Sequence, residues 1–360
     1  MSMQAVMSVY FDRIRSQRPE FEGAVAIWAD RLAPELERME VERKAVIHRA
    51  VKRTIIVGAI IVAAIALLTW QVGFQVMFPF GFFAGIVLTF MLSAAVWMPV
   101  FSMKSQTKQL VVGAACEPFG FTYDTLHMDM KAVSDFRSLG SWMKANSGSL
   151  TKSDGPPTPA FDRLKEAGLM PSYDNRKFED LIEGQRADAG FTMVECKLTQ
   201  TQGSGKNRRT VTKFQGLLFN VEYPERFMGR TVIARDKWWK RGKGSGDLQR
   251  VDLVSKELED AFTVHSTDQV EARTLLTPDR MERLLALERH FKGSKLRGIF
   301  EDGHMTLALE VKDQFEAGSI FKPLVDPNRF IGTLIEIGLV CDVIDGFLTR
   351  EWAHNRLDGS

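Results

Sequence analysis

The chain has 360 residues, of which 45% are hydrophobic and 26% are charged, and its formal net charge is +2. A charge so close to balance does not indicate a nucleic-acid-binding protein as a whole, because such domains are strongly basic. Three scattered cysteines are too few for a disulfide framework and contain no C-x-x-C pair, so they predict a reducing compartment.

Residues 1–53 are predicted to form a helical arm. Apolar side chains recur there at three- and four-residue spacing, at Ala24, Ile27, Trp28, Leu32, Leu36 and Met39. Pro19 and Pro34 are expected to break or kink this helix. The opposite face mixes acidic and basic residues, as a solvated surface does, and a partner-binding or self-associating helix remains the alternative.

Two apolar runs follow, Thr54–Trp70 and Phe78–Phe101, and neither contains a charged residue. A bilayer core about 30 Å thick needs roughly 17–25 apolar helical residues, so both runs are long enough to cross it. We therefore predict a transmembrane hairpin over 54–101, with spans at 54–72 and 76–101. Buried helices of a soluble protein are the alternative. A cleavable signal peptide is not favoured, because the first run begins far from the N-terminus and no cleavage-type site follows it.

Flanking charges predict the orientation of this hairpin. Basic residues precede the first span (Arg43, Lys44, Arg49, Lys52 and Arg53) and follow the second (Lys104 and Lys108), whereas the connection between them is uncharged. Lysine and arginine favour the cytoplasmic side, so both termini are expected in the cytoplasm. Gly81 and Gly85 form a G-x-x-x-G pattern that permits close helix packing, either between the two spans or in a dimer.

Residues 102–160 are expected to be a connector, helical from Lys104 to Met143 and then a Ser/Gly/Pro/Thr-rich loop over Asn146–Pro159. Residues 161–360 are predicted to be a cytoplasmic α+β domain, an antiparallel sheet with packed helices. A short helix at Ala160–Ala167 follows the loop and opens this domain. The predicted strands are Phe191–Thr201, Thr210–Tyr223, Thr231–Arg235, Phe262–His265, and a hairpin of Leu296–Phe300 and Met305–Val311 that turns at Asp302-Gly303.

Three further helices have start signals in this domain. Ser266 and Gln269 have the spacing of a capping box. Thr277 followed by Pro278 predicts an N-cap and a helix to about His290. Asp326-Pro327 is expected to open a last helix that ends near Leu348.

Several segments between Gly184 and Leu309 resemble an uncharacterised group of bacterial membrane proteins, domain-of-unknown-function family 3137. The resembling segments are Val194–Thr201 (VECKLTQT), Phe214–Phe219 (FQGLLF), Phe227–Asp236 (FMGRTVIARD), and Phe262–Pro278 with its Phe262, Val264, Ser266, Asp268, Glu271-Ala272-Arg273 and Leu275–Pro278. The resemblance implies a cytoplasmic α+β domain tethered to the bacterial inner membrane by two helices. It implies no activity, since none is established for the family.

Motifs for cofactor, metal or phosphate chemistry are not found. The six histidines are dispersed without a paired zinc-ligand spacing. Gly203-Ser204-Gly205-Lys206 departs from the phosphate-loop pattern, because Asn207 occupies the Ser/Thr position and strands surround it, so a hairpin tip is predicted there. We therefore predict no catalytic residue, no metal and no cofactor.

The densest ionisable cluster beside the resembling motif consists of His265, Asp268, Glu271 and Arg273. Asp268 could act as a general base with His265 as its partner. The other interpretation is structural, because a carboxylate in the first turn of a helix is favoured by the helix dipole and could pair with Arg273.

A second candidate surface is the basic-aromatic segment within Arg235–Lys243 (RDKWWKRGK). Its candidate lipid-binding residues are Lys237, Trp238, Trp239, Lys240, Arg241 and Lys243. Tryptophan favours the membrane interface, and lysine and arginine are attracted to anionic lipids, so this loop is a candidate for docking on the inner membrane face. Packing of both tryptophans into the core is the alternative.

The sequence thus predicts a membrane-anchored cytoplasmic interaction or scaffold module that meets acidic lipid or a membrane or cytoplasmic protein partner, with homo-oligomerisation possible and no nucleic acid bound. The alternative is a membrane-tethered enzyme with an unrecognised site near Asp268. A concave pocket in which Asp268, Glu271 and Arg273 converge with a histidine would favour the enzyme, and an exposed helix start would favour the module.

Overall fold

The computed structural model describes residues 18–72, 74–126, 159–186, 189–203, 207–223, 226–235, 247–253, 255–312 and 321–348. These residues confirm the α+β class, with long N-terminal helices and one large antiparallel sheet. They divide into two compact units. The first contains the described parts of 18–111 together with 321–329, and the second contains the sheet and the remaining helices.

The first unit is helical. It contains α1 (Phe21–Ala26), a π-helical segment (Ile27–Leu32), α2 (Ala33–Val72) and most of α3 (Phe74–Cys116). At Pro34, where the sequence predicts a break or kink, the helix does not break: Pro34 is the second residue of α2, and the α-helical hydrogen-bond pattern is interrupted just before it by the π-helical segment. The π-helical segment explains this: the Ala33 N–H donates to the Trp28 carbonyl five residues back, and this wider turn accommodates a residue that has no N–H.

Outside the apolar run, α2 and α3 each bury one stripe of side chains. On α2 the stripe is spaced mostly by three or four residues, and on α3 it has the same spacing, which is typical of paired helices. The α2 side of the first unit buries Trp28, Leu32, Leu36, Met39, Arg43 and Ala50, and the α3 side buries Val100, Met103, Thr107 and Val111.

The second unit is built on nine strands among the described residues, all paired antiparallel in the order β1-β2-β3-β4-β9-β8-β5-β7-β6. The strands are β1 (Thr122–Thr125), β2 (Asn175–Arg186), β3 (Ala189–Gln202), β4 (Arg209–Glu222), β5 (Thr231–Arg235), β6 (Gln249–Val251), β7 (Phe262–Ser266), β8 (Ser294–Glu301) and β9 (His304–Glu310). The predicted turn at Asp302-Gly303 is confirmed, since both residues have the positive φ (52° and 80°) that a two-residue hairpin turn requires.

Helices cover both faces of this sheet. Helix α4 (Pro159–Glu166) buries Phe161 and Leu164 in one core cluster with Phe214 and Leu218 of β4. On the other face the ring of Phe300 lies 5.5 Å from that of Phe347, in the long helix α8 (Pro327–Leu348). The remaining helices are α5 (Lys256–Ala261), α6 (Gln269–Leu275) and α7 (Pro278–His290).

The connector differs from its prediction. Helix α3 ends at Cys116, and a 3-10 turn at Glu117–Phe119 leads through left-handed Gly120 (φ 69°) into strand β1, so the predicted helix is wrong at Thr122–Thr125. Pro118 and the left-handed glycine end the helix because neither continues an α-helical backbone. Residues 127–158, including most of the predicted Ser/Gly/Pro/Thr-rich loop, lie outside the described residues.

Candidate membrane and partner surfaces

Most of the exposed large apolar side chains that the structure describes lie on helices α2 and α3. Twelve of seventeen are found between Ile55 and Phe101, and Trp70 is 90% exposed. In the most apolar window of each helix only 11% and 12% of the residues are buried. By length and composition these are two helices that could cross a membrane.

The two helices contact each other within one chain. A Cβ added to Gly85 would clash with Ile65 Cδ1 and would lie 3.6 Å from Ile61 Cγ2, so Gly85 lets α3 approach α2 closely. Gly81 lies in α3, but its surroundings fall outside the description. At the other end of the apolar run, Trp97 Nε1 donates a hydrogen bond of 3.1 Å to Thr54 Oγ1. The hydroxyl of Thr54 in turn donates to the Ala50 carbonyl at 2.9 Å.

Residues 321–326, here called the strap, pack on the same helical unit. The Leu324 N–H donates to Glu40 Oε2 at 3.0 Å, and the Leu324 side chain is buried. Arg43 fixes the Glu40 carboxylate with hydrogen bonds of 2.8 and 2.6 Å. The ring of Phe321 lies 6.0 Å from the ring of Trp97 at an interplanar angle of 58°, yet Phe321 remains 64% exposed. This arrangement was not predicted from the sequence, because Leu324 and Glu40 are 284 positions apart.

Asp268 is the N-cap of helix α6. Its Oδ1 accepts the backbone N–H groups of Val270 (2.9 Å) and Glu271 (3.0 Å). The predicted capping box from Ser266 is therefore wrong, because Ser266 still belongs to strand β7. Its hydroxyl accepts the Asp268 N–H at 3.0 Å and lies 2.8 Å from the Thr231 hydroxyl instead.

Glu271 pins the loop that precedes strand β5. Its two carboxylate oxygens accept the N–H groups of Met228 (2.7 Å) and Gly229 (2.6 Å). A Cβ at Gly229 would lie 2.9 Å from Asp268 Cβ, so a glycine is required for the loop to approach this closely. Both carboxylates of the predicted cluster therefore hold backbone in place.

The other two members of that cluster point elsewhere. Arg273 Nη2 donates to Gln269 Oε1 at 3.4 Å, one helical turn back on α6. His265 pairs with Val232 and Arg250 across the sheet, on the face opposite to its neighbour Ser266, because side chains alternate along a strand. The two carboxylates at the start of α6 are thus half-buried and accept backbone N–H groups.

The basic-aromatic segment of Lys237, Trp238, Trp239, Lys240, Arg241 and Lys243 lies outside the described residues. Strand β5, which leads into it, ends at Arg235. The register aligns Ala234, Arg297, Ala308 and Leu218 in one row, and β5 ends at Arg235, directly beyond that row. On β4 the chain runs in the same direction from Leu218 to Arg209, so the exposed Arg208 and Arg209 of the β3–β4 hairpin tip project roughly 25 Å past the end of β5 along the strands.

Several other ionisable groups of the second unit are buried or half-buried. Arg297 is 1% exposed, pairs with Glu310 at 3.0 Å, and lies 5.1 Å from the Phe214 ring centroid. Desolvation raises the pKa of Glu336, on α8, to about 7. Burial likewise raises the pKa of the Cys196 thiol. Within the described ranges no group of three or more His, Cys, Asp or Glu residues is placed to hold a metal ion.

Comparison with known proteins gives one family and one structural likeness. The crystal structure of the mycobacterial trehalose monomycolate transport factor A aligns over 66% of this chain and 94% of its own, with 9% identity and a TM-score of 0.31. A likeness at this score carries no argument about fold or function.

Residues 212–348 match the model of the family described as "Protein of unknown function (DUF3137)". The matched region runs from within β4 to the end of α8. It includes three of the four resembling segments, while Val194–Thr201 lies before it. The resemblance is thereby confirmed: residues 212–348 of this chain are a region of domain-of-unknown-function family 3137.

Proposed function

We propose that this chain is a membrane-anchored interaction module of the bacterial inner membrane. Residues 54–72 and 76–101 cross the bilayer, and the arm (1–53), the connector (102–160) and the α+β domain (161–360) lie in the cytoplasm. The observation that carries this proposal is the exposed apolar surface of α2 and α3 over a stretch without a single charged residue.

Lipid is the solvent that suits this surface. Core helices of soluble proteins bury their apolar side chains, whereas Ile60 and Val62 are 62% and 67% exposed here. Each isoleucine, leucine, valine or phenylalanine near the centre of a span favours insertion by about 0.3–0.6 kcal/mol. Exposed Lys52 and Arg53 immediately before the run support the cytoplasmic placement of this end.

Arginine substitution within the run tests the anchor. Ile60→Arg combined with Val87→Arg places two charges at span positions, each at a cost of about 2.5–3.5 kcal/mol, and should release the protein from membranes washed with alkaline carbonate. Val41→Arg is the matched control, since Val41 is 71% exposed on the same helix outside the run. A wild-type chain that stays monodisperse in the supernatant without detergent would refute the anchor.

The partner surface that we propose is the basic-aromatic segment, from Lys237 to Lys243, acting on acidic lipid. Its four basic side chains and two tryptophans support this, since they combine attraction to anionic headgroups with a preference for the interface. A membrane or cytoplasmic protein, including a second copy of the chain, is the other class of partner.

Hydrogen exchange in reconstituted vesicles tests the lipid contact. Amides of 236–246 should exchange more slowly in vesicles rich in phosphatidylglycerol than in phosphatidylcholine vesicles, and Trp238→Ala/Trp239→Ala should abolish the difference. Equal exchange in both lipids would reject docking on acidic lipid while leaving the anchor intact.

A further inference from the structure

We infer that Phe321 is a lipid contact: with Trp97 it forms an aromatic pair at the boundary between headgroups and acyl chains, and the strap thereby fastens the start of α8 to the cytoplasmic membrane surface. This inference rests on the proposed placement of 54–101 in the bilayer. It concerns the first structural unit alone, because the strap, α2 and the part of α3 up to Val111 belong to that unit.

The depth of the pair follows from one hydrogen bond. Trp97 Nε1 donates to the hydroxyl of Thr54, and Thr54 is the first residue of the charge-free run, directly after Lys52 and Arg53. The indole of Trp97 therefore lies where the run begins. Tryptophan is enriched at this level of a membrane because its ring is apolar and its N–H is polar.

Phe321 extends the aromatic surface at that level. Its ring centroid is 6.0 Å from that of Trp97, and the side chain is still 64% exposed. Contact with lipid would remove this apolar ring from water, and the nearby basic residues favour lipid as the contacting molecule. Lys322 follows Phe321 directly, and Lys52 and Arg53 directly precede Thr54, the residue that holds the Trp97 indole; all three are exposed basic residues of the kind that anionic headgroups attract.

The other end of the strap is fixed to protein. Leu324 is 3% exposed and its N–H is held by Glu40, whose carboxylate is itself held by Arg43. Pro323 lies between the buried Leu324 and the exposed Lys322, and helix α8 begins at Pro327. One side chain of the strap therefore packs inward while Phe321 stays at the surface beside Trp97.

The test uses the full chain reconstituted in vesicles of phosphatidylglycerol and phosphatidylethanolamine. Phe321→Cys is labelled with an environment-sensitive fluorophore; the native thiols of Cys116, Cys196 and Cys341 are buried. Lipids with a nitroxide on the acyl chain close to the headgroup should quench most of its fluorescence, and aqueous iodide should quench little. Val41→Cys is the matched control, since Val41 is 71% exposed on α2 in the same unit, three helical turns before the run; iodide should quench it and the lipid nitroxide should not.

A label at Ile60→Cys separates failure of this inference from failure of the anchor. If a nitroxide deep in the acyl chains quenches the Ile60 label while iodide quenches the Phe321 label, the spans stand and the lipid contact of Phe321 is refuted. Protection of the Phe321 label from both quenchers would also refute it, in favour of a protein cover. Iodide quenching of the Ile60 label would overturn the anchor and the inference together.

Discussion

Removing the carboxylate of Glu271 should release the loop before strand β5 and destabilise the sheet unit by about 2–3 kcal/mol. The carboxylate accepts the Met228 and Gly229 N–H groups at 2.7 and 2.6 Å. Hydrogen bonds to a charged group contribute about 1.5–3 kcal/mol each to stability. Because this site is partly exposed, water can replace part of each lost hydrogen bond, so we expect each contribution to be at or below the lower end of that range. For a unit of this size the loss corresponds to a decrease of about 4–12 °C in Tm.

Thermal unfolding of the full chain in detergent, followed by near-ultraviolet circular dichroism, measures this change for Glu271→Ala. Glu282→Ala is the matched control, because Glu282 is an exposed glutamate on α7. Hydrogen exchange of peptides covering 226–231 should accelerate in Glu271→Ala alone. The reasoning is refuted if both variants have the same Tm and the exchange of 226–231 does not change.

Three further outcomes are expected. Gly85→Ile should separate α2 from α3 and destabilise the hairpin by about 1–3 kcal/mol in detergent, whereas Gly58→Ile should not, because a Cβ at Gly58 meets nothing within 4 Å. Equal losses of stability in the two variants would contradict the packing. The pKa of Glu336 is about 7 in the folded chain and 4.5 in the unfolded chain, so its carboxyl group binds a proton more tightly in the folded state. The free energy of unfolding should therefore fall by up to about 3 kcal/mol as the pH rises from 4.5 to 7. Glu336→Gln should lack this loss in denaturant titrations, and parallel pH profiles of variant and wild type would refute it. An alkylating reagent should modify the buried thiols of Cys116, Cys196 and Cys341 only after the chain unfolds. Fast labelling of the native chain would contradict their burial.

The spacing of apolar residues and the residues typical of turns and caps made much of the fold predictable. Local irregularities explain the elements that were not predicted. Helix α7 starts after Thr277 at Pro278, as its local signals indicate. Strand β2 escaped detection because its register shifts between Phe178 and Leu181, which interrupts the alternation of buried residues. Strand β6 and helix α5 are too short, at three and six residues, for a period to be recognised. At α6 two capping candidates, Ser266 and Asp268, stand two positions apart, and strand pairing of Ser266 with Thr231 decides between them.

The candidate surfaces were only partly visible in the sequence. The two apolar runs are a local pattern, so the exposed hairpin surface could be anticipated. The strap could not, because Leu324 and Glu40 are 284 positions apart and Phe321 meets Trp97 without any shared motif. The carboxylates of Asp268 and Glu271 were found as a cluster, but their backbone partners depend on a loop whose path no spacing rule gives.

The central position of strand β4 has a practical consequence for anyone who isolates the family region. The match begins at residue 212, inside β4, whereas β4 pairs with β3 along nearly its whole length on one side and with β9 on the other. A recombinant fragment cut at that boundary would lose β1, β2 and β3 and leave a long row of unsatisfied amides and carbonyls beside Leu217, Phe219 and Val221. Such an edge is a template for intermolecular strand pairing, so inclusion bodies are the expected product, and a well-behaved fragment has to start upstream of Thr122.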